Sequence, residues 1–221
     1  MISNILFLTL MCIWSVASDL EAVNGRIKIT TLTTAGCIPT RNFITNQLTP
    51  TYAVYGEYLD IEYVPWGRTT RHPNGTYDNC QFSPNNCWAN RLHRCVLNFL
   101  KDNQDAQVKY MGCEFGIPQP AFEESSYICA QNEGLNLVEV DYCVRHPFLD
   151  DLDDIAEEAS RAPMDPVEGI NSLPVIVFND TIDMRLHTQA RDRLQNMVCL
   201  ALGNSNDTAI SISSCQKTET G

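Results

Sequence analysis

Apolar and polar positions alternate along two short segments in the first third of the chain. RIKITTLTT (26–34) is rich in β-branched residues and partly alternating, and LDIEYVPW (59–66) is a second strand candidate. Between them, RNFITNQL (41–48) brings Ile44 and Leu48 to one face at helical spacing. The order strand, helix, strand predicts a βαβ unit with two parallel strands and a right-handed crossover.

Two prolines mark the helix of this unit. Pro39 lies near its start, where a missing N–H costs little. Pro50 is expected to end or kink the helix, and TYAVYGEY (51–58) can resume it.

The rest of the chain has two strong helical patterns and one further apolar strand. A helix is predicted over NCWANRLHRCVLNFLK (86–101). Its apolar stripe consists of Trp88, Leu92, Cys95, Val96 and Phe99. SLPVIVFND (172–180) is a short apolar strand opened by Pro174, and TIDMR (181–185) is its candidate hairpin partner. TQARDRLQNMVCLALG (188–203) predicts a last helix that ends at a glycine.

The order of these elements, βαβ, helical insertion, ββα, is that of a thioredoxin-like fold. The predicted fold class is α/β, thioredoxin-like, with a disulfide-rich and mainly helical insertion at about 68–172. The predicted domain covers 19–203, and a polar tail follows at 204–221. Residues 1–18 are a predicted signal peptide, because the apolar run 5–14 is followed by small residues.

A membrane anchor is the alternative for the apolar run at the start of the chain. The run is too short to span a bilayer and nothing basic follows it, so no stable membrane insertion is expected. We expect the protein to be secreted, with the lysosomal or endosomal lumen as the alternative.

The formal net charge is −12, which argues against nucleic acid and anionic membrane surfaces as partners. Part of this charge lies in FLDDLDDIAEEASRA (148–162), a predicted helix with one acidic face. A solvated face is the favoured interpretation, and a docking site for a basic partner is the alternative.

The cysteines indicate an oxidising compartment. Because Cys12 lies in the predicted signal peptide, nine of the ten cysteines remain, and at least one is unpaired or intermolecular. Eight are assigned to structural disulfides of unknown connectivity: Cys80, Cys87, Cys95, Cys113, Cys129, Cys143, Cys199 and Cys215. Three glycosylation sequons, at Asn74, Asn179 and Asn206, fit the same compartment.

The unpaired cysteine is expected to be Cys37, in TTAGCIPTRNFI (33–44), where a predicted strand ends and a helix begins. A helix N-terminus presents free N–H groups and positive potential, which favour a thiolate nucleophile. Pro174 is the candidate for the cis-proline that lies beside the reactive cysteine in thioredoxin-like folds.

The segment CQFSPNNCWANRLHRC (80–95) resembles the signature of the gamma-interferon-inducible lysosomal thiol reductase family. That signature is Cys-Gln-His-Gly followed by Cys, Asn and Cys, and the matched residues are Cys80, Gln81, Cys87, Asn90 and Cys95. RNFITNQLTPTY (41–52) and VPWG (64–67) also resemble the segment after that family's redox motif. The resemblance spans about 37–199 and implies a thioredoxin-like thiol reductase that opens protein disulfides, often in an acidic compartment.

The resemblance maps the nucleophile to Cys37, the resolving cysteine to Thr40 and the cis-proline to Pro174. Thr40 cannot resolve a mixed disulfide, although its hydroxyl can hydrogen-bond a Cys37 thiolate. Phe-Ser at 82–83 replaces the His-Gly of the signature, and Asn86 stands where an acidic residue is usual.

Two functions remain open. One is a secreted member of this family with impaired or lost reductase activity that acts mainly by binding a protein partner. The other is a weak monothiol oxidoreductase or isomerase that acts on a disulfide-bearing protein substrate through Cys37. The oligomeric state is not predicted.

Other chemistries have little support. A zinc site is disfavoured because no two cysteines have Cys-x-x-Cys spacing and the four histidines are scattered, and no cofactor is expected. His93 is predicted to be structural, and His187 to be a surface or cap-region residue. There is no Gly-x-Ser-x-Gly segment for a serine triad.

Overall fold

The computed structural model describes residues 20–71, 78–82 and 84–204. Several predicted features lie outside these residues: the signal peptide at 1–18, the sequons at Asn74 and Asn206, Cys215, and most of the tail at 204–221. None of the helices within the described ranges is both long and apolar enough to cross a membrane.

The predicted parallel strand pair is confirmed. Strands β1 (Ile27–Thr33) and β2 (Leu59–Pro65) pair in parallel, with Ile27 opposite Leu59. Every residue of β1 except the half-buried Lys28 is buried. A run of β-branched residues suits this position, because both faces of the central strand are covered.

Helical segments fill the crossover between these strands: α1 (Ile38–Phe43), a π-helical segment (Ile44–Leu48) and α2 (Thr49–Tyr55). The chain stays helical through Pro50, so this proline does not end the helix. The N–H of Thr49 donates to the carbonyl oxygen of Ile44, a wider turn than in an α-helix. This wide turn directly precedes Pro50, which has no N–H to donate.

A mainly helical stretch follows β2. Its elements are β3 (Thr70–Arg71), β4 (Asp78–Asn79), α3 (Pro84–Phe99), α4 (Gln104–Glu114), α5 (Pro120–Glu124), α6 (Ile128–Asn132), α7 (Leu137–Arg145) and α8 (Leu152–Arg161). On α3, Leu92, Cys95 and Val96 are buried as the apolar stripe predicts, whereas Phe99 is 41% exposed. The exact bounds of the domain and of its insertion stay predictions.

Disulfides hold this stretch together. They join Cys80 to Cys87, Cys95 to Cys143 and Cys113 to Cys129. The second bridge links α3 to α7, and the third links α4 to α6. Cys199 is also disulfide-bonded.

The last strand, β5 (Val175–Phe178), is buried and pairs antiparallel with β1, so the strand order is β2-β1-β5. The second hairpin strand predicted over TIDMR was wrong, since only a single bridge joins Phe178 and Thr181. The helix α9 (Met184–Gly203) begins too soon for a strand, because the carboxylate of Asp183 accepts from the N–H groups of Arg185 and Leu186 and caps it. The result is a thioredoxin-like α/β fold with a short sheet.

The sheet separates two apolar layers. The larger layer contains Ile29 of β1 and Phe178 of β5, together with residues of α1, α3 and α9. The smaller layer contains Leu32 of β1 and Val175 of β5, with Ala156 of α8 packed against them. Cys37 belongs to the smaller layer.

The acidic segment is less solvated than its sequence suggests. Asp150 contacts Arg91 (2.6 Å), and Asp153 contacts both Arg91 (2.9 Å) and Arg94 (2.8 Å). The side chains of Arg91 and Arg94 are only 6% and 5% exposed. The favoured interpretation of a solvated face is therefore wrong for these carboxylates, which attach α8 and the residues directly before it to α3.

We expect Asp153→Ala to lower the free energy of unfolding by about 3 kcal/mol, because two buried guanidinium groups lose a partner. Asp154→Ala is the control. Asp154 is 69% exposed and pairs with the partly exposed Arg71, so its loss should cost less than about 1 kcal/mol. Urea unfolding of both variants measures the difference, and equal costs would contradict the anchoring role of Asp153.

Candidate active site around Cys37

Cys37 lies between β1 and α1, at the residue that precedes the first helical turn. Its N–H donates to the carbonyl oxygen of Thr34 (3.3 Å), and its own carbonyl oxygen accepts from the N–H of Arg41 (2.9 Å). It is the free cysteine of the described residues, as the odd cysteine count suggests, and it is 5% exposed. A buried thiol at the start of a helix is thus available for chemistry only from one side.

Two asparagines of α3 hold the loop that leads to Cys37. The N–H of Ala35 donates to Asn90 Oδ1 (2.8 Å), and Asn90 Nδ2 donates to Thr34 Oγ1 (3.0 Å). Asn86 Nδ2 donates to Thr34 Oγ1 (2.9 Å) and to the carbonyl oxygen of Ala35 (2.7 Å). All these groups are buried, so the asparagines replace the water that a loop would otherwise bind.

Gly36 completes this loop in a conformation that suits glycine. Its φ is +79°, and an added Cβ would lie 2.6 Å from the ring of Phe122. Its N–H donates to Gln119 Oε1 (3.1 Å). Contacts with Gln119 and with Phe122 of α5 therefore hold Gly36, the residue before the thiol, in place.

Cys37 opens onto a cleft of about 480 Å³. The cleft is lined by Gly36, Cys37, Ile38, Pro39, Arg68, Gln81, Phe82, Asn171, Ser172, Leu173 and Arg191. Gln81 and Phe82 lie in the loop closed by the Cys80–Cys87 disulfide, where the N–H of Phe82 donates to Asn86 Oδ1 (3.4 Å). The segment that resembles a family signature thus forms one wall of the Cys37 cleft.

The loop before β5 forms the opposite wall. The peptide bond between Leu173 and Pro174 is cis. Behind this loop, His187 Nδ1 accepts from the N–H of Ile176 (3.3 Å), and His187 Nε2 lies 3.2 Å from Ser172 Oγ. This pattern requires the neutral imidazole with its proton on Nε2.

The surface position predicted for His187 was wrong. The residue is 2% exposed, because the first turn of α9 packs against β5. Burial, and secondarily the charge of Arg191, lowers the pKa of His187 to about 4. His93 is buried, in agreement with the structural role predicted for it.

Thr40 is fully buried one helical turn after Cys37. Its hydroxyl has no hydrogen-bond partner among the described residues, so the bond that it could make to a Cys37 thiolate is not formed in this structure. A resolving thiol is absent from this position, and the hydroxyl cannot replace it, because it does not form a disulfide.

The described residues contain no group of three or more His, Cys, Asp and Glu side chains that could hold a metal ion. Asn179, the remaining sequon residue, is half-buried, and its Nδ2 donates to the carbonyl oxygen of Glu21 (2.9 Å). Glycosylation there stays a prediction.

The model of the family named Gamma interferon inducible lysosomal thiol reductase (GILT) matches residues 28–133, from β1 to the end of α6. The chain belongs to the GILT family. This range includes Cys37, Thr40 and both asparagines that hold the active-site loop. The chain is therefore related to the thiol reductases of this family, and it carries Cys-x-x-Thr at residues 37–40.

Individual proteins are also similar to this GILT family member. GILT-like protein 1 of Drosophila melanogaster is 24% identical over 185 residues, covering 74% of this chain and 70% of that protein. A solved structure, a thioredoxin-like oxidoreductase from Silicibacter pomeroyi DSS-3, gives a TM-score of 0.49 at 14% identity and covers 80% of this chain and 90% of that chain.

Several residues of the site had not been predicted from the sequence. Arg68, Gln119 and Arg191 lie in segments with no local motif, and only the fold brings them to Cys37. The role of Thr34 in the loop could not be recognised from the sequence. Thr34 is the last of a run of β-branched residues, so it looks like one more residue of the strand.

We expect Asn90→Ala to lower the free energy of unfolding by about 1–3 kcal/mol, because the buried N–H of Ala35 loses its acceptor. The looser loop should also raise the alkylation rate of Cys37 in the native state. Asn98→Ala is the matched control, since Asn98 lies on the exposed side of the same helix. Urea unfolding and timed alkylation measure both effects. An unchanged alkylation rate in a destabilised Asn90→Ala would contradict the positioning role.

His187 should make stability depend on pH. The unfolded chain binds a proton at the usual pKa of His near 6.5, while folded His187 binds it only at about 4. Stability should therefore fall as the pH falls from 6.5 to about 4, by up to roughly 3 kcal/mol in all.

The loss of stability toward acidic pH should be smaller in His187→Gln, because the glutamine side chain does not take up a proton in this range. His146→Gln, at an exposed histidine, should keep it. The measurement is urea unfolding at several pH values, and an identical pH slope in wild type and His187→Gln would contradict the assignment.

Proposed function

We propose that this GILT family member acts mainly by binding a disulfide-bearing protein in the Cys37 cleft, with impaired thiol reductase turnover. The observation that carries the proposal is the free Cys37 at the base of an open cleft, with a buried threonine in place of a second thiol. The cis-Pro174 loop and the Cys80–Cys87 loop supply two walls for an extended segment.

The chemistry of the first step is available to the chain. The Cys37 thiolate attacks one sulfur of the partner's disulfide, a new S–S bond forms, and the other partner sulfur leaves as a thiolate that takes a proton from water. In a dithiol enzyme the second cysteine would then attack the mixed disulfide. Thr40 cannot do so, and the captured partner stays attached until an external thiol releases it.

A weak monothiol oxidoreductase is the second candidate. The access of Cys37 to the cleft favours this function too. It differs from the binding function only in how the partner is released. A small external thiol would attack the partner's sulfur in the mixed disulfide, form a new disulfide with the partner and release Cys37 as a thiolate. The rate would then depend on the concentration of that thiol.

We also propose that the protein works outside the cytosol, either secreted or in a lysosomal lumen. Support comes from the disulfides of the α3 to α7 stretch, since such bonds persist in oxidising compartments.

The test is incubation with a model disulfide protein from acidic to neutral pH. Wild type should form a mixed disulfide, visible by mass spectrometry, that disappears in Cys37→Ser. Thr40→Cys should raise the rate of reductive turnover by on the order of ten-fold or more, because the release step becomes intramolecular. Thr40→Val is the control, since it keeps the shape of the side chain without a thiol.

Wild-type turnover equal to that of Thr40→Cys would overturn the impaired activity. Turnover in wild type that increases with added small thiol would select the monothiol candidate. A Cys37 that resists alkylation in the native state and forms no mixed disulfide would contradict both.

A further inference from the structure

The charged side chains that line the Cys37 cleft are both cationic. They are Arg68, which follows β2, and Arg191 of α9, while the other lining residues are uncharged. The chain as a whole carries a formal charge of −12. The cleft is thus of opposite sign to the rest of the protein, and an anionic ligand would be attracted to it rather than to the surface around it.

The two cleft arginines differ from most other arginines of the described residues, because neither has a carboxylate partner there. Arg68 donates from Nη2 to the carbonyl oxygen of Asn171 (3.0 Å), and no carboxylate of the described residues contacts Arg68 or Arg191. Most other arginines of these ranges have such partners, as in the pairs Arg26–Asp60, Arg91–Asp150, Arg145–Asp141 and Arg161–Glu158. The guanidinium groups at the cleft keep their hydrogen-bonding capacity for something else.

The two arginines lie near the same loop, the one that precedes β5. The bond from Arg68 to Asn171 places its guanidinium at the loop that leads to cis-Pro174. Arg191 lies one helical turn beyond His187, and its charge reaches that imidazole, whose Nε2 is 3.2 Å from Ser172 at the cleft wall. Both charges therefore lie along the wall on which an extended segment would pass Cys37.

The remaining lining is apolar or neutral. Ile38, Phe82 and Leu173 supply apolar surface, and the volume of about 480 Å³ admits a few residues of an extended chain. Carboxylates are the groups that guanidinium binds best, through two parallel hydrogen bonds. A lysine side chain in the same place would meet two charges of its own sign.

We propose that the Cys37 cleft selects disulfide-bearing segments that carry Asp or Glu beside the half-cystine, and that Arg68 and Arg191 bind those carboxylates. This selectivity rests on the proposed function, because it uses the same cleft. It concerns which segment the cleft binds and does not change the thiol exchange. It names the chemical class of the partner: an acidic, partly apolar stretch of protein.

The experiment separates binding from chemistry. Fluorescent peptides with serine in place of cysteine, flanked by Asp, Asn or Lys and otherwise identical, are titrated into Cys37→Ser protein and followed by anisotropy. The Asp peptide should bind more tightly than the Lys peptide by on the order of ten-fold at low salt. High salt should remove most of the difference, because exposed charges are then screened.

Charge reversal supplies the decisive variants. In Arg68→Glu/Arg191→Glu the order should invert, with the Lys peptide bound best. Arg193→Glu is the matched control, since Arg193 is an exposed residue of the same helix that does not line the cleft, and the wild-type order should persist. If the double reversal does not fold, Arg68→Gln and Arg191→Gln should each reduce the preference for Asp.

Equal binding of the Asp and Lys peptides by Cys37→Ser, or an Asp preference that survives removal of both arginines, would overturn the proposal. A second arm uses the cysteine peptides as mixed disulfides with a chromogenic aromatic thiol, whose release by wild type reports attack by Cys37. Asp peptides that bind best but release no aromatic thiol would support the recognition and count against the proposed function alone.

Discussion

The site depends on the hydrogen bonds that Asn86 and Asn90 make to the end of β1. This strand is covered on both faces, so the polar groups of its terminal loop have no access to water and must find partners in the protein. The two asparagines supply those partners to Thr34 and Ala35. They thereby join the βαβ unit to α3 at the one place where the chain turns into Cys37.

Other interactions hold α3 itself. The Cys95–Cys143 bridge ties it to α7, and Arg91 and Arg94 tie it to the carboxylates of Asp150 and Asp153 beside and within α8. Because α8 covers the sheet face on which Cys37 lies, the helical stretch is part of the core around the thiol. The loop closed by the Cys80–Cys87 bridge, directly before α3, forms one wall of the cleft beside the thiol.

The charge distribution follows from the same arrangement. Within the acidic segment 148–162, Asp150 and Asp153 pair with the arginines of α3, whereas Asp154 and Glu158 are exposed. Arg68 and Arg191 line the cleft, and no carboxylate of the described residues contacts either of them. Cys37 thus opens onto a cleft whose charged lining is cationic, in a chain with a formal net charge of −12.

The sequence by itself determined the strands β1, β2 and β5, the helices α3 and α9, the parallel pairing and the free Cys37, because these follow from local periodicity and cysteine counting. The resemblance of its motifs to the GILT family also predicts that Thr40 stands where that family has its second cysteine. Only the tertiary structure decided that Pro50 stays within a helix, that no hairpin strand follows β5 and that His187 is buried. The hydrogen bond of Gly36 to Gln119 and the placement of Arg68 beside Arg191 join residues far apart in the chain. Contacts of this kind depend on how the elements pack, and no local pattern encodes them.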